Sequence, residues 1–153
     1  MKRLIIVRHG SYDNDSNLSH YGQEQMKFVA GQIQAEVGQV DGLLILTSTA
    51  PRAQQSAEVL ARILNAPSEE HPVLWSDSQH RENFGAVLAL IQERQESKET
   101  LVLVTHLEYG ERFPRFFGEK ELGVAWGVMR PHYAEGCFID VEAKTVRPLT
   151  QPS

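Results

Sequence analysis

Three stretches of the chain carry residue types suited to holding and cleaving a phosphate. The first is Arg8, His9 and Gly10, which end the apolar run "RLIIVRHG". The second is "TSTAPR", with Ser48 at its start and Arg52 at its end, and the third is "TLVLVTH", which closes on His106. Guanidinium groups bind phosphate oxygens through paired hydrogen bonds, and a helix N-terminus adds further donors to an anion. Phosphoryl transfer needs charge neutralised on the nonbridging oxygens, an in-line nucleophile and a proton for the leaving atom. A neutral imidazole is a competent nucleophile near pH 7 when its other nitrogen is fixed by a hydrogen bond. One of the two histidines can therefore attack while the other, with the arginines, holds the phosphoryl group. Gly10 fits a close backbone approach or a turn with positive φ.

These residues act together only if the fold collects them. Residues 3–9, 42–48 and 100–106 are aliphatic and β-branched runs that turn polar at their C-terminal ends, as strands buried on both faces do. Helical spacing fills the intervals. Met26, Val29, Ala30, Ile33 and Val37 share one face after Ser19, a candidate N-cap. Ala53, Ala57, Leu60 and Leu64 mark a helix over about 50–65, with hydroxyl caps offered by "STAP" and a proline in its first turn. Phe84, Val87, Leu88 and Ile91 mark a third helix over about 82–95. Alternating strands and helices predict an α/β three-layer αβα sandwich with a mainly parallel central sheet. In such a sheet, loops after the strand C-termini form the ligand crevice, and His9, Ser48 and His106 all fall there. Arg52 falls in a helix's first turn, where the macrodipole disfavours a cation by about 0.3–1 kcal/mol and a bound anion reverses the sign.

Beyond residue 107 the pattern is weaker. "YGERFPRFFGE" is helical in spacing but contains Pro114, and "GVAWGVMRPHY" fits loop or strand. "GCFIDVEAKTVRPL" reads as a strand, a turn near Ala143–Lys144 and an edge strand that tolerates Pro148, giving the sheet an antiparallel C-terminal edge.

The length of 153 residues fits one domain over 1–153, able to bury about 68–70% of its unfolded surface. Hydrophobic content of 41% and charged content of 23% are globular values, so neither disorder nor a fibrous architecture is indicated. No segment has the apolar length of a signal core or a membrane span, and the expected location is the cytoplasm. A net charge of −5 argues against nucleic acid or an acidic membrane as partner. The single cysteine, Cys137, excludes an internal disulfide, fits a reducing compartment and reads as a small buried hydrophobe.

Taken together, "VRHG" after the first strand, "LSHYGQEQM" some residues on, "TSTAPRAQQSAEVL" in the second βα unit and the late "VLVTH" resemble the histidine phosphatase (phosphoglycerate mutase-like) superfamily. In length the chain is most similar to compact phosphohistidine phosphatases. The resemblance implies His9 as the phosphorylated nucleophile, with Arg8, Arg52 and His106 forming the phosphate pocket, and it implies no metal or cofactor. It also implies a carboxylic acid for the leaving group, and here the chain departs from the pattern. Glu108, two residues past His106, matches the acid phosphatase branch, whereas Asp77 lies where the mutase-like branch carries its acid. An extended chain at 106–108 points Glu108 to the pocket, and a helix starting at Leu107 turns it away. Glu108 is favoured narrowly over Asp77, and a phosphoryl group on nitrogen depends less on a dedicated acid.

The remaining candidates have plainer readings. Ser48 either donates to phosphate or caps its helix, and the cap is preferred. His20, His71 and His80 read as solvated and carry no metal-binding spacing. Residues 112–132, with Arg112, Arg115, Phe116, Phe117, Trp126, Arg130 and His132, read as packed cover, with a substrate-facing rim as the functional alternative. The expected activity is hydrolysis of a phosphorylated small molecule or phosphoprotein. A mutase is disfavoured because the chain has little insertion from which to build a water-excluding lid. A non-catalytic phosphate-binding protein is the rival from another class.

Overall fold

Apolar side chains alternate between two cores along every central strand. In the computed structural model, which describes residues 1–38 and 40–152, strand β1 (Arg3–Arg8) sends Ile5 and Val7 to one face of the sheet and Leu4 and Ile6 to the other. Strands β2 (Leu43–Thr47) and β4 (Thr100–Thr105) do the same and are fully buried. On one face lie helices α1 (His20–Val37) and α2 (Pro51–Leu64), contributing Met26, Val29, Ile33, Ala53, Leu60 and others to the first core. On the opposite face α3 (Phe84–Arg94) and α4 (Leu107–Phe117) contribute Val87, Ile91, Tyr109, Phe113 and Phe117 to the second. The result is the expected three-layer αβα sandwich.

The sheet has six strands in the order β3-β2-β4-β1-β5-β6, where β3 is Ser68–Glu70, β5 is Gly136–Asp140 and β6 is Thr145–Leu149. The first four are parallel, and β5 and β6 run antiparallel to their neighbours. Chain leaving β1 crosses towards β2, while chain leaving β4 crosses towards β5. The C-terminal ends of β1 and β4 thus form the topological switch point, where an α/β sheet opens a crevice. The register pairs Arg8 with Thr105, so the next residues, His9 and His106, leave the sheet side by side.

Several sequence expectations hold at the level of single bonds. Ser19 caps α1, its hydroxyl accepting from the Gly22 amide at 3.0 Å. The turn between β5 and β6 spans residues 141–144, with Lys144 at φ 58°, and Pro148 sits exposed on the edge strand. Cys137 is fully buried, and burial pushes its thiol up to about 12. No helix among the described residues is long and apolar enough to cross a membrane.

Other expectations need correction. The three strands end one residue earlier than the apolar runs suggest, so His9, Ser48 and His106 lie directly beyond the strand ends. The N-cap of α2 is Ala50, with no side-chain cap bond, so Ser48 is not the capping residue. Strand β3 has no counterpart in the sequence pattern, because "SEE" is polar and short, as a protected edge strand is. Helix α4 runs through Pro114. An interior proline costs about 3 kcal/mol, and burying each of Tyr109, Phe113 and Phe117 returns about 1.5–3 kcal/mol. Residues 124–132 form no regular element, and Phe116, Trp126 and Met129 pack partly on the second core, which supports the cover reading of this segment.

Candidate active site

His9 and His106 are each 2% exposed, with ring centroids 5.0 Å apart, directly beyond the paired ends of β1 and β4. Backbone bonds fix both positions: the His9 amide donates to the Thr105 carbonyl at 3.0 Å, the His9 carbonyl accepts from the Ala134 amide at 2.9 Å, and the His106 carbonyl accepts from the Gly110 amide at 3.0 Å. Beside them, the Ser48 amide extends the β2 ladder to Val104 at 3.1 Å.

Hydrogen-bond partners assign the ring tautomers. His9 Nδ1 lies 2.9 Å from the Gly10 carbonyl, an acceptor only, so Nδ1 carries the proton and donates. Its Nε2 lone pair is left facing the crevice, where the Arg52 Nε–H donates to it at 3.3 Å. His106 Nδ1 accepts from Arg52 Nη2 at 3.4 Å, and its Nε2–H donates to the Ser48 hydroxyl oxygen at 2.7 Å. That oxygen also accepts from the Ala50 amide at 3.2 Å. Ser48 therefore orients His106.

Burial is the main reason that both rings resist protonation. It lowers His9 to about 3, opposed by the Gly10 carbonyl and assisted by the charges of Arg52 and Arg8. It lowers His106 to about 2, assisted by His9, Arg52 and Arg8 and opposed by Asp77. At neutral pH both imidazoles are uncharged and offer lone pairs. A stability consequence follows. The unfolded histidines, with ordinary values of 6.5, take up protons between pH 6.5 and about 3 that the folded chain refuses. Stability is therefore complete above pH 6.5 and falls as the pH drops below it, by at most about 1.4 kcal/mol per pH unit for each group. Urea midpoints between pH 7.5 and 5 are expected to show this fall, with a smaller slope in His9→Asn.

Arg52 reaches the crevice from the first turn of α2. Besides contacting both histidines, it donates from Nη1 to the Ser16 hydroxyl at 2.8 Å. Ser16 adopts φ 65°, in a loop pinned by Asp13, whose carboxylate accepts from the Asp15 and Asn17 amides. Arg8 approaches from the other side: Nη1 donates to the Pro131 carbonyl at 3.3 Å, and the buried Nε has no protein partner among the described residues. Two cations thus converge where a polar donor remains to be satisfied.

The loop after β1 is clamped from outside the crevice. The Gly10 amide donates to Ser56 Oγ at 3.0 Å, and the Ser11 amide to Gln25 Oε1 at 2.9 Å. A methyl group on Gly22 would lie 2.1 Å from the Ser11 carbonyl oxygen, and one on Gly10 would lie 2.8 Å from the Gly22 oxygen. The loop and the first turn of α1 meet backbone to backbone, and only glycines permit that approach.

Sequence reasoning missed the aromatic wall. Tyr12 and Tyr133 flank His9 with centroids at 5.3 and 5.8 Å. The Arg8 guanidinium lies 4.2 Å over Tyr133, and that of Arg52 lies 4.8 Å from Tyr12 and 5.9 Å from Trp75. Trp75 is parallel to His106 within 11° at 6.1 Å. Tyr12, three residues past His9, was within reach of local inspection. Tyr133 was not, since it arrives on the chain returning to pair with β1. Of the proposed rim at 112–132, Pro131 reaches the site, through its carbonyl bond to Arg8.

Neither candidate acid bonds to the two histidines. Helix α4 starts at Leu107, and Glu108 in its first turn accepts from the buried Ser76 hydroxyl at 2.8 Å. Asp77 accepts from Trp75 Nε1 at 2.9 Å and, at 2.8 Å each, from the Gln79 amide, the His80 amide and His80 Nδ1. Desolvation pushes its carboxyl up, but those donors outweigh it and hold Asp77 well below the usual carboxylate range. His80 and His71 are not merely solvated, since each pairs with a carboxylate, Asp77 and Glu69 respectively. No group of three or more histidine, cysteine, aspartate or glutamate side chains among the described residues could hold a metal ion.

Residues 4–76 match the histidine phosphatase superfamily (branch 1). No curated protein matches the chain. Among solved structures, the protein histidine phosphatase SixA complexed with tungstate is 19% identical, with a TM-score of 0.73 over 97% of this chain and 96% of that one. Phosphoserine phosphatase from Entamoeba histolytica, as a histidine-to-alanine variant with phosphoserine, is 15% identical, with a TM-score of 0.67 over 98% and 96%. A mycobacterial glucosyl-3-phosphoglycerate phosphatase is 16% identical, with a TM-score of 0.63 over 99% and 100%. The matched segment contains Arg8, His9 and Arg52, and the likeness of fold extends over nearly the whole chain.

Proposed function

We propose that this chain is a phosphatase that hydrolyses a phosphomonoester or a phosphohistidine through a covalent phosphohistidine on His9. The observation that carries the reading is the tautomer of His9: with Nδ1–H held by the Gly10 carbonyl, the Nε2 lone pair faces the site where Arg8, Arg52 and His106 converge. Nε2 attacks phosphorus as the bond to the leaving atom breaks. Water then attacks the phosphohistidine, and the electron pair of the P–N bond returns to Nε2. Arg8 and Arg52 neutralise the nonbridging oxygens in both steps. His106, uncharged without substrate, holds an oxygen from Nδ1 once the arriving dianion favours its protonation.

Structures of similar fold are a protein histidine phosphatase, a phosphoserine phosphatase and a glucosyl-3-phosphoglycerate phosphatase. That range supports the reaction class and leaves the substrate within it. The expected outcome is release of inorganic phosphate from p-nitrophenyl phosphate or a phosphohistidine peptide, undiminished by EDTA, because arginines supply the charge that a metal supplies elsewhere. Binding of phosphate without turnover of either substrate would instead identify a phosphate-binding protein. Loss of turnover with EDTA would contradict the metal-free mechanism.

A further inference from the structure

A phosphatase of this kind must protonate its leaving atom, and the two candidate carboxylates, Asp77 and Glu108, are engaged elsewhere. Asp77 accepts four hydrogen bonds, and one of its four donors is His80 Nδ1. That bond fixes the imidazole orientation, as a carboxylate does for a histidine acting as acid and base. The His80 ring stacks on Trp75 with centroids 4.2 Å apart and planes within 12°. Trp75 in turn lies 5.9 Å from the Arg52 guanidinium and 6.1 Å from the His106 ring, so the stack joins His80 to the residues of the crevice. His80 Nε2 has no protein partner among the described residues, and the side chain is 43% exposed, open to an arriving substrate.

The segment that carries this pair is bolted to the elements that carry His106. Thr105 Oγ1 donates to the Leu74 carbonyl, and Ser76 Oγ donates to Glu108. The Tyr109 hydroxyl donates to the Val73 carbonyl at 2.8 Å and accepts from the Asn83 amide at 2.7 Å. A solvent-exposed histidine with no role has no need of such support, whereas a proton donor requires a fixed position.

We propose that His80, oriented by Asp77 and seated on Trp75, is the general acid and base of the reaction. The proposal rests on the phosphatase reading above. As His9 Nε2 bonds to phosphorus, the bond to the leaving oxygen breaks and its electron pair takes the proton from His80 Nε2. Neutral His80 then accepts a proton from the water that attacks the phosphohistidine, the P–N bond breaks towards His9, and His80 is again an imidazolium. Asp77 stays ionised throughout and is a positioning residue. Glu108 ties α4 to the segment through Ser76.

The test compares leaving groups. kcat/KM is measured for 2,4-dinitrophenyl phosphate, whose phenolate leaves without a proton, and for phenyl phosphate, which needs one. His80→Gln is expected to lose about 10²- to 10⁴-fold on phenyl phosphate and about tenfold or less on the dinitrophenyl ester. Asp77→Asn is expected to show the same bias with a smaller loss. Equal losses on both esters would reduce His80 to a structural role and overturn the proposal, as would no loss on either. A leaving-group bias appearing in Glu108→Gln instead would assign the acid to Glu108. A wild-type protein inactive on both esters and on a phosphohistidine peptide would remove the phosphatase reading itself, a result distinct from activity that ignores His80.

Discussion

His9→Ala is expected to lower kcat by at least about 10³-fold, the scale seen when a covalent nucleophile is removed, while phosphate still binds within a few-fold of wild type. The two effects separate because they depend on different atoms. In the proposed mechanism the attacking lone pair belongs to His9 Nε2 alone, exposed to the site by the Nδ1 bond to Gly10. The charge proposed to bind phosphate belongs to Arg8 and Arg52, both still anchored in the variant through Pro131 and Ser16. Steady-state kinetics with inorganic phosphate as competitive inhibitor reads both quantities. Turnover close to wild type in this variant would mean that phosphate transfer bypasses His9.

Arg52→Ala is expected to reduce kcat/KM by about 10²- to 10³-fold, the cost of losing one donor aimed at developing charge, and this time phosphate affinity falls as well. The three guanidinium nitrogens act separately, since Nε contacts His9, Nη2 contacts His106 and Nη1 secures Ser16. Arg52→Lys is expected to recover little, because an ammonium cannot reproduce three directed donors. A second signature follows from charge. Arg52 helps to lower both histidines, so its removal raises both from their values of about 3 and about 2. Histidine NMR titrations of wild type and Arg52→Ala measure that rise.

The ends of the three apolar runs make most of the site readable from the amino-acid sequence. A parallel strand buried on both faces leaves a recognisable apolar run, and where it turns polar marks a crevice residue. His9, Ser48 and His106 emerge for that reason, and Arg52 because a cation in a helix's first turn runs against the macrodipole. The readings that fail depend on side-chain partners that no spacing reveals. Ser48 has the residue type of a helix cap, yet its hydroxyl accepts from His106 across 58 residues of chain. Asp77 has the position of a free acid, yet Trp75, Gln79 and His80 surround it. Tyr133 gives no signal, because β5 brings it to His9 only after the chain has crossed to the far side of β1. Strand β3 escapes because an edge strand of serine and glutamate has no apolar period to detect.

The covalent mechanism on His9 is tested most directly by rapid mixing with a ³²P-labelled phosphoester or phosphohistidine peptide, denaturation in alkali and mapping of the label. Label that survives alkali, is lost in acid and maps to the peptide containing His9 is the expected result, with none in His9→Ala. Turnover without trapped label, or label carried on His106 or His80, would contradict it.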